Sequence, residues 1–268
     1  MIDLTKYSIY DLHTKSSKGD QFKWEVNGIW YKADKNGYES LSEYVVSALL
    51  KYSSLADDEY VSYDLEQVKY KNRIFNACSS KGFLNKGDKI ITLERLYKNT
   101  YGVSLTLKLA ELDGYLDRAN YLVNTIKSIT SLNDFGSYLY KTLVIDALFL
   151  NEDRHLHNIA VIEKENGKYD YCPIFDNGAA LLSDTNVDYP LNINVLDLLP
   201  NVKAKTIGDN FYDAIYEIEN AYGTSISFSY TEKDIDEIVD KVTIYDESIK
   251  NRIKQLLKYQ RNKMKYFF

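Results

Sequence analysis

The chain has 268 residues, of which 45% are hydrophobic and 27% charged, a composition typical of a globular protein with one large domain or two lobes. A formal net charge of −6 argues against nucleic acid as the main partner, because binding to the phosphate backbone usually needs a basic surface. No apolar run reaches the roughly 20 residues of a membrane helix, and the first residues lack the basic stretch and apolar core of a secretory signal. We therefore expect a cytoplasmic protein.

Cys78 and Cys172 have no neighbours at metal-ligand spacing, so we expect reduced thiols, with a single disulfide as the alternative.

Short β-type runs dominate the first hundred residues: Lys23–Val26, Ile29–Lys32, Tyr60–Tyr63 and Lys89–Leu93. Asn27-Gly28 between the first two runs predicts a tight hairpin, since both residues tolerate positive φ. One helix interrupts the strands. Its apolar face consists of Leu41, Tyr44, Val45, Ala48 and Leu49, and Glu43 lies toward the edge of that face.

After about residue 100 the periodicity becomes helical. We predict helices over Tyr115–Ile129 and Ser137–Leu150, and a hairpin around Asn166-Gly167. Thr231 is expected to cap a helix over Asp234–Val242, and a last amphipathic helix is lined by Ile249, Ile253, Leu256 and Leu257. Strands first and helices second predict an α+β protein with two lobes.

Two polar stretches carry the chemistry, one over residues 151–158 (Asn-Glu-Asp-Arg-His-Leu-His-Asn) and one over residues 173–178 (Pro-Ile-Phe-Asp-Asn-Gly). Phosphoryl transfer needs a group that orients or deprotonates the acceptor hydroxyl, and oxygen ligands for Mg²⁺. Asp153 can serve as the base, while the amide oxygen of Asn158 and the carboxylate of Asp176 suit a hard, octahedral cation. Taken singly, each stretch is more often a polar loop, a helix cap or a turn. Their combination, an apolar helix followed by Asp-x-His-x-x-Asn, a hairpin and an apolar-Asp-x-Gly, favours the functional interpretation.

With these residues in this order, the chain resembles the HipA-like serine/threonine kinases, whose catalytic loop carries Asp-x-His-x-x-Asn and whose metal-binding Asp follows a short hairpin. The 23 residues from Asp153 to Asp176 fit that family, and the same motifs resemble the phosphatidylinositol kinases. The resemblance implies a bilobal protein-kinase-like fold, with a strand-rich N-lobe over residues 1–96 and a mostly helical C-lobe over residues 97–268. It implies use of ATP and Mg²⁺, with Asp153 as catalytic base and Asn158 and Asp176 as metal ligands. His155 would brace the loop.

The residues that bind the nucleotide are then expected upstream of the catalytic-loop motif. Lys32, near the end of a strand, would neutralise the α- and β-phosphates, and Glu43 would hold it by an ion pair, with Glu39 as the competing partner. Taken alone, a solvated strand-end lysine and a surface carboxylate are the commoner interpretations.

A serine- and glycine-containing segment, residues 16–21, occupies the place of a phosphate-covering loop. The resemblance implies that Ser17, Gly19 and Gln21 lie near ATP and that Ser16 or Ser17 is an autophosphorylation site. A phosphate there would repel the phosphates of ATP and could eject the loop. A simple polar turn is the alternative. The run over residues 91–96 resembles the family's hinge, which implies that the backbone carbonyl of Glu94 and the amide of Leu96 meet the adenine edge; a short buried strand is compatible with that role.

The leading hypothesis is a protein kinase that phosphorylates serine or threonine on itself and on a target protein. In this family such a kinase is often a toxin restrained by an antitoxin, or a secreted effector. The chain looks like a compact, core-only member, and residues 180–268 match nothing that identifies an acceptor.

Two other classes of function are alternatives to a protein kinase. A lipid or small-molecule kinase uses the same parts, although an acidic chain without a basic cluster weighs against a membrane substrate. A metal-dependent hydrolase or binding module would use His155 and His157 as ligands, but the only other histidine is His13.

Overall fold

The computed structural model describes residues 1–10 and 21–268, and its secondary structure is α+β, as predicted. The chain divides into two compact units, each built from separated segments. The first unit consists of Met1–Phe83, Asp176–Val202 and Phe228–Phe268. The second consists of Leu84–Phe175 and Lys203–Ser227. The expected lobes, 1–96 and 97–268, group the chain by sequence rather than by contact and stay a prediction.

The first unit contains a five-stranded sheet in the order β1-β4-β5-β3-β2. Its strands are β1 (Ile2–Asp3), β2 (Lys23–Val26), β3 (Ile29–Ala33), β4 (Asp64–Tyr70) and β5 (Arg73–Lys81). β1 pairs with β4 in parallel, and the other neighbours are antiparallel. Asn27 and Gly28 join β2 to β3 with φ of 54° and 79°, which confirms the predicted tight turn. One face of this sheet packs a buried cluster of Leu4, Trp24, Tyr31, Ala33, Val68 and Ala77.

Helix α1 (Glu39–Leu50) follows β3 and is buried along most of its length. Its first residue explains its start: the Glu39 carboxylate accepts hydrogen bonds from the backbone amides of Lys35, Asn36 and Gly37. Glu39 therefore fixes the turn that enters α1 and leaves Glu43, one helical turn later, to face β3.

The remaining helices of the first unit are α6 (Val195–Leu198), α8 (Glu232–Asp240) and α9 (Glu247–Lys263). Thr231 caps α8 as predicted: its hydroxyl accepts from the Asp234 amide, and the Asp234 carboxylate accepts from the Thr231 amide. From α9, the buried Arg252 donates to the carbonyls of Tyr189, Pro190 and Ile193.

The second unit is mostly helical and carries a three-stranded antiparallel sheet, β6-β7-β8. Its helices are α2 (Leu93–Tyr101), α3 (Leu105–Ala110), α4 (Tyr115–Thr130), α5 (Phe135–Phe149) and α7 (Phe211–Tyr222). Its strands are β6 (Lys89–Thr92), β7 (Ala160–Glu163) and β8 (Tyr169–Tyr171). Gly167, at φ 75°, lies in the turn between β7 and β8, in agreement with the predicted hairpin. Helix α5 is buried on nearly every side, which explains its almost continuous apolar sequence.

Two predicted strands need correction. Tyr60–Tyr63 is not a strand; the strand begins at Asp64, although Tyr60, Val61 and Tyr63 are buried as their apolar character predicts. The strand predicted over Lys89–Leu93 ends at Thr92, because Leu93 already belongs to α2. Both cysteines are free and buried. Among the helices of the described residues, none has the length and apolar character needed to cross a membrane.

Candidate active site

Lys32 lies at the centre of a cluster of charged and polar side chains in the first unit. It is here called the Lys32 cluster and consists of Lys32, Glu43, Tyr63 and Asp176. The Lys32 Nζ lies 2.6 Å from Glu43 Oε1 and 2.9 Å from Asp176 Oδ1, and it also donates to the Tyr63 hydroxyl at 3.3 Å. The expected ion pair with Glu43 is present, and the carboxylate of Glu39 is occupied by backbone amides of the turn that precedes α1. The cluster therefore joins β3, α1 and the residue that follows the β7–β8 hairpin.

Two opposing effects act on the Lys32 ammonium. Burial would lower its pKa, but the carboxylates of Asp176 and Glu43 outweigh burial and hold the pKa well above its usual value. Lys32 is therefore charged at any physiological pH. The Lys32 cluster contains two carboxyl groups and one ammonium, so its acidic groups outnumber its basic one, which favours an added cation.

The geometry of the Lys32 cluster follows from local structure. Glu43 is only 1% exposed, and its second oxygen, Oε2, accepts from the Asn177 amide at 2.8 Å. The Ser42 hydroxyl lies 2.8 Å from the Asn177 carbonyl and 2.9 Å from the Ala180 carbonyl. Asp176 itself has φ of 64°, a conformation that costs free energy for a residue with a side chain and persists where surrounding contacts impose it. Helix α1 thus holds the chain on the C-terminal side of Asp176.

The catalytic-loop motif begins directly after α5, in the second unit. Leu150 has φ of 55° and ends the helix, and the Asn151 amide bonds back to the Asp146 carbonyl at 2.9 Å. The His155 amide then donates to the Asp153 carbonyl, and the Asn158 amide to the His155 carbonyl, each at 2.8 Å. These successive turns bring Asp153 and Asn158 together in one compact loop.

Arg154 anchors that loop from inside the protein. Its side chain is 1% exposed and its Nε lies 3.0 Å from Asp146 Oδ1 in α5. Burial raises the pKa of Asp146 to about 6, while Arg154 acts in the opposite direction. The Arg154 guanidinium also donates to the carbonyls of Asn158 and Phe175, and Phe175 directly precedes Asp176 in the sequence.

The side chains of Asp153, His155 and Asn158 have defined contacts. Asn158 Nδ2 donates to the Asp153 carbonyl at 2.9 Å, so Oδ1 is the atom of this amide suited to a metal ion. His155 Nε2 lies 4.0 Å from Asp153 Oδ2, which is beyond hydrogen-bonding distance. Lys205, from a segment 52 residues away, lies 3.1 Å from Asp153 Oδ1.

The structure corrects the expected conformation of the hinge. Glu94 and Leu96 lie in the first turn of α2 and not in an extended segment, because Thr92 caps a helix that begins at Leu93. The Glu94 carboxylate accepts from the amide and hydroxyl of Thr106, both at 2.9 Å. Burial would raise the pKa of Glu94, but hydrogen bonds from Ser104 and Thr106 outweigh it and hold that pKa below its usual value. A contact of Glu94 and Leu96 with adenine stays a prediction, without an extended backbone to support it.

The remaining predicted residues are those of the serine- and glycine-containing segment and the histidines. Ser16, Ser17 and Gly19 lie outside the described residues, and Gln21 is partly exposed just before β2. The rings of His155 and His157 are 5.5 Å apart at a steep angle. Within residues 1–10 and 21–268, no group of three or more His, Cys, Asp and Glu side chains is arranged to hold a metal ion without further ligands, and His13 lies outside that part of the chain.

The residues present fit a magnesium–triphosphate. A charged ammonium suits phosphate oxygens, and the Asp176 carboxylate, 23% exposed, is accessible to a cation. The Asn158 amide oxygen is also of the type that Mg²⁺ prefers. The sequence motifs predicted Lys32, Asp176 and Asn158 as site residues, but they did not point to the contacts of Asp146, Lys205 and Thr206. An arginine at position 154, inside the motif, was the one sequence signal for an acidic partner such as Asp146. A single lysine in a loop, such as Lys205, gives no indication of its partner.

Two solved structures are similar to this chain to different degrees. The chain is similar to the crystal structure of a Helicobacter pylori proinflammatory kinase, CtkA, with a TM-score of 0.63 and 19% identity over 98% of this chain and 95% of that chain. The fold is a kinase fold. A second likeness is to HipA of Shewanella oneidensis MR-1, solved with HipB and operator DNA, with a TM-score of 0.46 and 14% identity over 88% of this chain and 58% of that chain. No family model matches the chain, and no curated protein matches it.

Proposed function

We propose that this chain is an ATP- and Mg²⁺-dependent kinase of the HipA-like kind, which transfers the γ-phosphoryl group to a serine or threonine hydroxyl of a protein. The observation that carries the proposal is the Lys32 cluster, in which a charged lysine is held by Glu43 beside the partly exposed carboxylate of Asp176. The kinase fold, shared over nearly the whole chain with a solved kinase, supports it.

Each residue has a defined part in the proposed reaction. Lys32 pairs with α- and β-phosphate oxygens, and Glu43 keeps its ammonium in place. Asp176 and Asn158 are the oxygen ligands for Mg²⁺. When bound, the ion neutralises charge on the β- and γ-phosphates.

Asp153 orients the acceptor hydroxyl and takes its proton. The hydroxyl oxygen forms a bond to the γ-phosphorus, the bond from that phosphorus to the β–γ bridging oxygen breaks, and its electron pair leaves with ADP. We expect His155 to brace the catalytic loop rather than to take protons.

The proposal is tested with γ-labelled ATP, Mg²⁺ and the purified whole chain, with casein as a generic protein acceptor. Asp153→Asn and Asp176→Asn keep the shape of each side chain and remove its charge, and we expect each to lower the transfer rate by roughly a hundredfold or more. Asp117→Asn, an exposed carboxylate on α4, is the matched control. Equal label transfer by all four proteins would refute the kinase assignment, and label on a lipid or metabolite panel without protein labelling would favour the small-molecule alternative.

Autophosphorylation is a separate part of the proposal. A phosphate on Ser16 or Ser17 would place negative charge near the phosphates of ATP and weaken its binding. Mass spectrometry after incubation with ATP and Mg²⁺ should find the phosphate on one of these serines in wild type and not in Asp153→Asn. A phosphate elsewhere, or none, would remove this part while leaving transfer to other acceptors intact. An antitoxin-like partner stays a prediction from the sequence resemblance, because no contact among the described residues bears on it.

A further inference from the structure

A loop in the second unit contacts the proposed base directly. The loop consists of residues 203–209 and is here called the Lys205 loop. Its Lys205 Nζ lies 3.1 Å from Asp153 Oδ1. The Asp153 side chain is 9% exposed, whereas that of Lys205 is 38% exposed. We propose that Lys205 is a positioning residue for phosphoryl transfer, which holds the Asp153 carboxylate in the orientation that meets the acceptor hydroxyl. The inference rests on the proposed kinase function.

The Lys205 loop is fixed to the catalytic-loop motif and to α4. The hydroxyl of Thr206, the residue next to Lys205, donates to the Arg154 carbonyl at 2.6 Å. The guanidinium of Arg118, in α4, donates to the Ile207 carbonyl at 3.1 Å. A lysine carried by a freely moving loop would lose much conformational entropy on pairing, but here the backbone is already held, so less entropy is lost.

Contacts at the far end of the loop restrict it further. The Ala204 amide donates to the Asp209 carbonyl at 3.0 Å and closes the loop on itself. The Tyr115 hydroxyl lies 3.2 Å from Asp209 Oδ1, and the Tyr115 ring packs so closely on Gly208 that a Cβ there would overlap it. The sequence therefore needs a glycine at 208 for the loop to lie against α4.

The chemistry of phosphoryl transfer explains why this contact matters. Catalysis of this reaction depends mainly on positioning and electrostatic stabilisation, so a base held in place matters more than a strongly basic one. A charge-assisted hydrogen bond to a largely buried carboxylate is both shorter and stronger than one between neutral groups. Without Lys205, the Asp153 carboxylate loses its ammonium partner and is held less firmly, and small misplacements of reacting groups cost rate steeply.

The test uses the whole chain with γ-labelled ATP, Mg²⁺ and casein, and it compares Lys205→Met, Lys205→Arg and Lys233→Met with wild type. We expect Lys205→Met to lower kcat by roughly tenfold to a hundredfold, with the KM for ATP within about twofold of wild type. Lys205→Arg keeps the charge and should recover most of kcat. Lys233, whose exposed side chain pairs with Glu237 in α8, is the matched control, and its substitution should leave both constants unchanged.

A second variant, Gly208→Ala, tests the positioning role of the Lys205 loop without removing a charge. Gly208→Ala places a methyl group against the Tyr115 ring and shifts the loop, so it should also lower kcat with little change in the KM for ATP. Thermal melts establish that each variant is folded before its rates are compared.

Three outcomes would overturn the inference while the wild type is active: an unchanged kcat in Lys205→Met, a raised KM for ATP as its only effect, or a Lys205→Arg variant as slow as Lys205→Met. If Lys205→Met does not fold, an unchanged kcat in Gly208→Ala overturns it instead. A wild type that transfers no phosphate refutes the kinase proposal itself, and the role of Lys205 falls with it.

Discussion

Glu43 accepts hydrogen bonds from two different donors, the Lys32 ammonium on Oε1 and the Asn177 amide on Oε2. In Glu43→Gln, one of these oxygens becomes an NH₂ group, which then faces another donor in a site that is almost fully buried. We expect the free energy of unfolding to fall by about 2–3 kcal/mol, since Asp176 still pairs with Lys32. Urea unfolding measures the loss, with the exposed Glu237→Gln as control. Identical midpoints for Glu43→Gln and wild type would show that the contacts of Glu43 are not needed for the fold.

Asp34, at the end of β3, predicts a pH dependence of stability. Burial raises its pKa to about 7, although hydrogen bonds from Ser40 and Tyr245 act against burial. Between the ordinary pKa of about 4 and this value, the folded state binds more protons than the unfolded state, so stability falls as pH rises through that range.

Asp34→Asn should make the melting temperature less dependent on pH, because its amide is never charged. Comparing melts at pH 5 and pH 8 tests this, with Asp117→Asn as control. Some dependence of the same sign should remain from Asp146, whose pKa is about 6. An unchanged slope between the two pH values would contradict the role given to Asp34.

At the scale of single elements, α8 is the helix whose start is best specified by local sequence. Thr231 and Asp234 form a reciprocal capping box, so Thr231→Ala removes a bond to a first-turn amide. We expect a loss of about 1 kcal/mol in the free energy of unfolding. Thr224→Ala, at an exposed loop position, is the control. Equal stability of Thr231→Ala and wild type in urea would mean that packing alone determines this helix.

Elements with a strong local signal were predictable, and those decided by long-range contacts were not. The Asn27-Gly28 hairpin and the Thr231 cap depend on neighbouring residues alone. The start of α2 was missed because a run of four residues is too short for its hydrophobic periodicity to distinguish a strand from a helix. Thr92, the N-cap of α2, was a usable signal.

The same distinction holds within the candidate site. Asp153, Asn158 and Asp176 stand in recognisable motifs, and Glu43 faces Lys32 because one short turn separates β3 from α1. The pair of Lys205 with Asp153 spans 52 residues, and nothing in either neighbourhood predicts it.

For the molecule as a whole, the compact units are discontinuous, which predicts the behaviour of fragments. Residues 1–96 contain the five-stranded sheet and α1 but lack partners that α1 and its entry turn use. Ser42 bonds to the carbonyls of Asn177 and Ala180, and the Tyr38 hydroxyl donates to the Leu181 carbonyl at 2.6 Å. We expect this fragment to be unfolded in isolation, with poorly dispersed amide resonances. A well-dispersed NMR spectrum would show that the predicted N-lobe is an independent domain.

The central claim is that Lys32, Asp176 and Asn158 act on one nucleotide. A crystal structure of the whole chain with a non-hydrolysable ATP analogue and Mg²⁺ tests it most directly. We expect the Lys32 ammonium to lie within hydrogen-bonding distance of the α- or β-phosphate, and Asp176 and Asn158 to be ligands of the ion. An analogue bound elsewhere, with Lys32 still enclosed between Glu43 and Asp176 and no metal on either residue, would contradict it.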